Sequence, residues 1–205
     1  MALGALAPSS SKTNTLEQIT IASTGNSTDF GDRTVHSYPP GSMSSTTRMV
    51  VGGGYSTPAG VLNVIDFVEM VTTGNAVDFG NLTVGRSALS GTGSRTRGVF
   101  FAGQQPSPTY GPQIDYVTIS STGNAIDFGN LVDGRRYATA TSSRVTGLIM
   151  GGFDNPSFSN MIQKITISST GNAVDTGGDI SSSRHFGCGA SNGTRGIYAG
   201  GGNPS

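Results

Sequence analysis

Thr122-Gly123-Asn124-Ala125-Ile126-Asp127-Phe128-Gly129-Asn130-Leu131 is the stretch whose reading decides the fold. Its opening returns as Thr24-Gly25-Asn26, Thr73-Gly74-Asn75 and Thr170-Gly171-Asn172, at steps of about 49 residues. A second stretch keeps the same interval. It reads Arg48-Met49-Val50-Val51-Gly52-Gly53, then Arg97-Gly98-Val99-Phe100-Phe101-Ala102-Gly103, Thr146-Gly147-Leu148-Ile149-Met150-Gly151-Gly152 and Arg195-Gly196-Ile197-Tyr198-Ala199-Gly200-Gly201. A period of this length is one supersecondary unit copied four times.

The unit from Arg86 to Leu131 shows what is copied. Ser87 to Thr92 is a run of small residues, strand a. Gly98 to Ala102 is an apolar strand b. The loop Gln104 to Pro112 leads to strand c, Ile114 to Ile119, rich in β-branched and aromatic residues. Ser121-Thr122-Gly123-Asn124 is a hairpin turn, because Gly and Asn take positive φ cheaply. Ala125 to Phe128 is a short strand d. Ile19, Val68, Val117 and Ile165 share one register, and Ile21, Met70, Ile119 and Ile167 another. Apolar positions of period two that recur in every copy predict unit-to-unit contact.

Four antiparallel strands in about fifty residues make a propeller blade. The chain starts with strands c and d, from Leu16 to Phe30. It ends with a and b, from about Arg184 to Gly201. The expectation is an all-β, four-bladed β-propeller, closed by pairing the N-terminal strands c and d with the C-terminal strands a and b. Small residues at Ser42, Ser44, Ala88, Ser90, Ala138, Ala140, Gly187 and Gly189 suit a narrow axis. The structural rival is an open arc completed by another subunit. Residues 14–205 form the single propeller domain. Residues 1–13, with Pro8 and Ser9-Ser10-Ser11, read as an arm or tether.

Composition narrows the function. Formal net charge is zero and 12% of residues are charged, so no nucleic-acid footprint is expected. No stretch approaches a membrane span, and no membrane insertion is expected. Met1 to Ala7 is apolar but lacks a basic region and an apolar region of proper length, so it is not read as a secretion signal, and a protein working outside the cell would leave by another route, such as lysis or a dedicated export system. The single cysteine, Cys188, excludes an intrachain disulfide. With Gly187, Gly189 and Ala190 around it, it reads as a buried inert thiol.

The pattern resembles kelch-type β-propeller repeats, through Gly52-Gly53, Gly151-Gly152, Gly200-Gly201 and the unit length. It departs from them in having no Trp. Phe30, Phe79 and Phe128 take a similar place, with Thr176 in the last copy. The wording of the repeats is also similar to glycine-rich kelch-like repeats in structural proteins of marine bacteriophages. That resemblance implies a virion location and a non-enzymatic role as tail fibre, spike or capsid decoration. Its partners would be other virion proteins or a host-surface glycan, with homo-oligomerisation or docking on a larger assembly. The alternative is a cellular kelch-like protein-interaction module of the cytoplasm.

No motif points to catalysis, and no cofactor or metal is expected. His36 and His185 fall in different registers. Asp29, Asp78, Asp127 and Asp175 recur once per unit, which suits a side chain bonding nearby backbone N–H groups better than calcium. The copper site of galactose-oxidase-like propellers does not carry over to Cys188. A polysaccharide lyase or hydrolase ranks last, since the loops offer only scattered acids such as Asp154.

Arg86, Arg135 and Arg184 recur in register, with Ser37 in the odd copy. The favoured reading is structural, an arginine bonding backbone carbonyls between blades. The functional reading is a ring of donors at one mouth of the axis. The b–c loops, Tyr55 to Asn63, Gln104 to Gln113 and Phe153 to Asn160, vary between copies and share a face with the d–a loops. Function on such scaffolds sits on irregular loops. Tyr55, Tyr110, Phe153 and Phe158 are therefore the candidate contact residues.

Overall fold

The computed structural model describes residues 13–106, 109–154 and 156–203, so the expected N-terminal arm lies outside the described residues apart from Thr13. Every described element is a β-strand, and none is a helix long and apolar enough to cross a membrane. The chain opens with a half-unit, β1 (Thr15–Gln18) and β2 (Thr28–Asp32). Three four-stranded antiparallel sheets follow. Unit one is β3 (Gly41–Ser44), β4 (Arg48–Gly52), β7 (Val64–Glu69) and β8 (Val77–Asn81). A small hairpin, β5 (Tyr55–Ser56) and β6 (Gly60–Val61), is inserted between β4 and β7.

Unit two is β9 (Ser90–Gly93), β10 (Arg97–Phe101), β11 (Gln113–Thr118) and β12 (Ile126–Asn130). Unit three is β13 (Thr139–Ser142), β14 (Thr146–Met150), β17 (Met161–Thr166) and β18 (Val174–Asp179), with the hairpin β15 (Phe153–Asp154) and β16 (Ser157–Phe158). A second half-unit, β19 (Cys188–Ser191) and β20 (Gly196–Ala199), ends it. Strand a starts later than the small-residue run predicts. Ala88 takes φ +55° and donates its N–H to Pro39 O, so Ser87 and Ala88 belong to the link.

The core lies between units rather than within them. Leu16, Phe30, Met49, Val51 and Val68 join the first half-unit to unit one. Val50, Ile65, Phe79, Leu82, Phe100, Val117 and Ile119 join units one and two. Val99, Phe101, Ile114, Phe128, Ile149, Ile165 and Ile167 join units two and three. Each such side chain contributes about 1.5–3 kcal/mol on burial. The registers read from sequence are thus the inter-unit contacts. The first copy is the exception: Ile19 is 54% and Ile21 98% exposed, because no other unit packs on that side of β1 among the described residues.

A bulge recurs where strand d meets strand c, between Leu16 and Glu17, Ile65 and Asp66, and Ile114 and Asp115. The extra residue opposite is Phe30, Phe79 or Phe128, each of which is buried. The glycine that follows is needed for another reason. The Thr-Gly-Asn turn of the next unit docks there. Gly74 N–H donates to Phe30 O, Gly123 N–H to Phe79 O and Gly171 N–H to Phe128 O. Asn75, Asn124 and Asn172 accept at Oδ1 from the N–H of Asp32, Asn81 and Asn130. The repeated turn is therefore also a clasp between units. Arg48 and Arg97 add a second link, donating to Ile119 O and Ile167 O of the following unit.

The inner strands β3, β9, β13 and β19 stack in that order. They line an open groove of about 200 Å³, with Ser42, Ser90, Gly91, Ala140 and Gly189 on its walls. The two half-units stand as separate two-stranded sheets, and among the described residues they do not pair with each other. Cys188 corrects an expectation. It is an exposed free thiol, because β19 and β20 lack the outer strands that accompany the inner pair elsewhere.

Candidate binding face

Strand polarity brings the d–a links and the b–c loops to one face, and paired bridges join them. Tyr38 pairs with Tyr55, Ser87 with Gln104, Arg136 with Phe153 and His185 with Gly202. These four bridges occupy one register of the repeat. The face is thus a row of equivalent joints on which only the side chains differ.

Beneath this face the recurrent arginines are anchored. Arg86 is fully buried, and donates to Asp115 Oδ2 at 2.6 Å and to Gln113 O at 2.6 Å. Arg135 is fully buried too, pairs with Asp133 and donates to Gly151 O at 2.8 Å. Neither lines an open mouth, and the carbonyls they bond, Gln113 O and Gly151 O, lie in the unit each arginine opens rather than in a neighbouring one. Arg184, half-buried, donates to Gly200 O and Ser181 Oγ and reaches no carboxylate.

The odd copy is compensated. Arg33, four residues before Ser37, reaches across to Asp66 and Ser37. Asp66 and Asp115 hold the same register on strand c, and Gln163 holds it in unit three. There the carboxylate has moved to Asp133, which accepts from both Arg135 and Gln163 Nε2. Each buried guanidinium keeps one acid. Burial lowers the pKa of Arg33 and Arg86, while Asp66 and Asp115 act in the opposite direction.

On the face itself, three of the four candidate aromatics converge. Tyr110 meets Phe153 at 5.7 Å between ring centroids, and Phe153 meets Phe158 at 5.1 Å. The series continues through His185, 4.6 Å from Phe158, to Phe186 and Tyr137, whose rings lie 3.8 Å apart. The Arg136 guanidinium sits 4.8 Å from the Tyr110 ring, 4.9 Å from Tyr137 and 5.2 Å from Phe153. It also donates to Gln104 Oε1. Phe186 is 56% exposed, so the ledge opens to solvent at that end. Tyr55 stands apart, edge-on to Tyr38 at 6.2 Å.

Sequence reading missed Arg136, Tyr137, His185 and Phe186. They directly follow the recurrent Arg135 and Arg184, where the copies vary: Ser87-Ala88 in one, Arg136-Tyr137 in the next, His185-Phe186 in the last. Tyr137 and Phe186 have φ of +56° and +58°, but so does Ala88 at +55°. The left-handed backbone therefore belongs to the repeat, not to the ledge.

The recurrent aspartates lie within strand d, and three of them bond backbone two residues on. Asp29, Asp127 and Asp175 accept at Oδ1 from the N–H of Gly31, Gly129 and Gly177. No family model matches the chain, and no curated protein matches it with significant similarity.

Proposed function

We propose that this chain is a non-enzymatic structural protein of a phage virion, a tail fibre, spike or capsid decoration. Its loop face contacts a host-surface glycan or another virion protein. The observation that carries the contact role is the ledge of Tyr110, Phe153, Phe158, Tyr137 and Phe186 around Arg136. Aromatic faces stack on the apolar faces of sugars or on apolar side chains, and a guanidinium with Gln104 beside it supplies donors and acceptors. The virion assignment rests on the resemblance of the repeat wording to phage structural proteins. A non-catalytic role is supported by the fate of the carboxylates. Asp66, Asp115 and Asp133 neutralise buried arginines, and Asp29, Asp127 and Asp175 bond backbone N–H groups within strand d.

The architecture of this reading is a kelch-like β-propeller to which each chain contributes four blades' worth of strands. The fourth blade is made of β1 and β2, as strands c and d, and β19 and β20, as strands a and b, whether these come from one copy or two. No cofactor, nucleic acid or membrane insertion enters the proposal. The test is fractionation of a lysate on a density gradient. The protein is expected to band with intact particles. Recovery only in the soluble fraction, bound to a cell protein, would favour a cytoplasmic interaction module.

A further inference from the structure

The two half-units carry complementary open edges. In every complete unit strand b pairs with strand c: β4 with β7, β10 with β11, β14 with β17. β20 is a b strand with no c strand beside it, and β1 is a c strand with no b strand beside it, among the described residues. Open edges of this kind are templates for pairing. Among the described residues the Thr24-Gly25-Asn26 turn makes none of the clasp bonds that Gly74, Gly123 and Gly171 make, and β18 is exposed along its length.

Charge says what fits. Arg86 reaches Asp115 on strand c of unit two, and Arg33 reaches Asp66 on strand c of unit one. Arg184 holds the Arg86 register but, among the described residues, bonds Gly200 O and Ser181 Oγ and lies over the Tyr198 ring with no carboxylate beside it, and its buried Nε has no hydrogen-bond partner. Glu17 holds the Asp66 and Asp115 register on β1, and it is exposed. The half-units therefore hold the two members of one ion pair.

We propose that β20 of one copy pairs with β1 of a second copy of this chain, with Arg184 of the first against Glu17 of the second. The inference rests on reading the two half-units as one blade, and it assigns them to different molecules. The reason lies in how each is held. β1 and β2 are fixed on unit one by the Leu16, Phe30, Met49, Val51 and Val68 core, and β19 is stacked on β13 of unit three. Held there, the two edges of one molecule are not paired among the described residues.

The joint is head-to-tail. Closure at two copies gives eight blades, within the range propellers use, and non-closure gives a filament. It is also weaker than the internal interfaces. Thr176 stands where Phe30, Phe79 and Phe128 are buried elsewhere, and Lys164 where Phe67 and Tyr116 pack. The inner ladder, in which Ala88, Tyr137 and Phe186 donate to Pro39 O, Ala88 O and Tyr137 O, stops at Pro39, which has no N–H. Association is therefore concentration-dependent.

Light scattering on the full chain over a hundredfold concentration range is the test. The mass is expected to rise from monomer to dimer or beyond. Glu17→Arg and Arg184→Glu, each alone, are expected to weaken association at least tenfold. Mixing the two variants restores it, because every joint then pairs opposite charges. A covalent check mixes Gln18→Cys with Ile197→Cys, both in a Cys188→Ser background. These positions hold the registers of Lys164 and Leu148, which oppose each other in unit three. A cross-linked dimer is expected. Monomer mass at every concentration overturns the inference. So does a variant carrying both cysteines that closes on itself while the mixture stays unlinked. Either result leaves the virion reading to the particle fractionation.

Discussion

A Cβ on Gly80 would lie 2.4 Å from the carbonyl oxygen of Gly123, so strand d of one unit and the turn of the next touch backbone to backbone. Gly31 meets Gly74 at 2.4 Å and Gly129 meets Gly171 at 2.6 Å in the same way. This contact makes an array out of separate sheets. It explains why glycine follows the buried phenylalanine in three copies.

Gly80→Ala is therefore expected to cost at least about 2 kcal/mol, from left-handed backbone and overlap together. Gly177 has φ +72° but no atom within 4 Å of its Cβ position. Gly177→Ala is expected to cost only the backbone term, about 1 kcal/mol. Urea unfolding midpoints compare the two. Equal losses would show that the clasp contributes nothing.

Arg86 and Asp115 are both fully buried, so removing one leaves the other uncompensated. Arg86→Met is expected to destabilise by about 3–5 kcal/mol, and Asp115→Leu by a similar amount. The double variant should recover much of the loss, because it leaves no buried charge. A double-mutant cycle by chemical denaturation measures the coupling, and additive losses would contradict the pairing.

Unit three tests the same logic in reverse. Gln163→Asp places a second carboxylate beside Asp133, whose Oδ1 now accepts from Gln163 Nε2 at 3.2 Å. A loss of about 1–3 kcal/mol is expected. Adding Asp133→Val, the residue type of Val84 at that register, restores the arrangement of unit two and should return most of the stability. Thermal unfolding of the single and double variants decides it.

The strands and inter-unit registers were legible because the same apolar positions recur: Val68, Val117 and Ile165 are buried between sheets as their spacing predicts. The arginine pairs were half legible. Arg86 and Arg135 recur, but their acids sit on different strands, Asp115 on β11 and Asp133 in the link after β12, and Arg33 substitutes from another register. No linear spacing reveals that exchange. The ledge was legible only at Tyr110, Phe153 and Phe158. Arg136, Tyr137, His185 and Phe186 read as repeat positions until the d–a links meet the b–c loops in space. Cys188 misled because its small neighbours suggest burial, while exposure depends on strands that the half-unit lacks.

On the ledge, Arg136→Ala removes the cation shared by three rings. Phe186→Ala removes the most exposed ring of the ledge, but also relaxes its left-handed backbone only slightly, so folding should survive. Binding of purified protein to host cells or particles is expected to fall about tenfold or more for either, as for truncation of a contact hot spot. Tyr55→Ala, away from the ledge, serves as the comparison, with a smaller loss expected.

Electron microscopy of native particles, with the protein located by a gold-tagged antibody, separates a virion role from a cellular one. Label is expected at fixed sites on the tail or capsid surface, with the Arg136 ledge facing outward or onto a neighbouring virion protein. Unlabelled particles, with all of the protein free or bound to a cellular partner, would contradict the virion role.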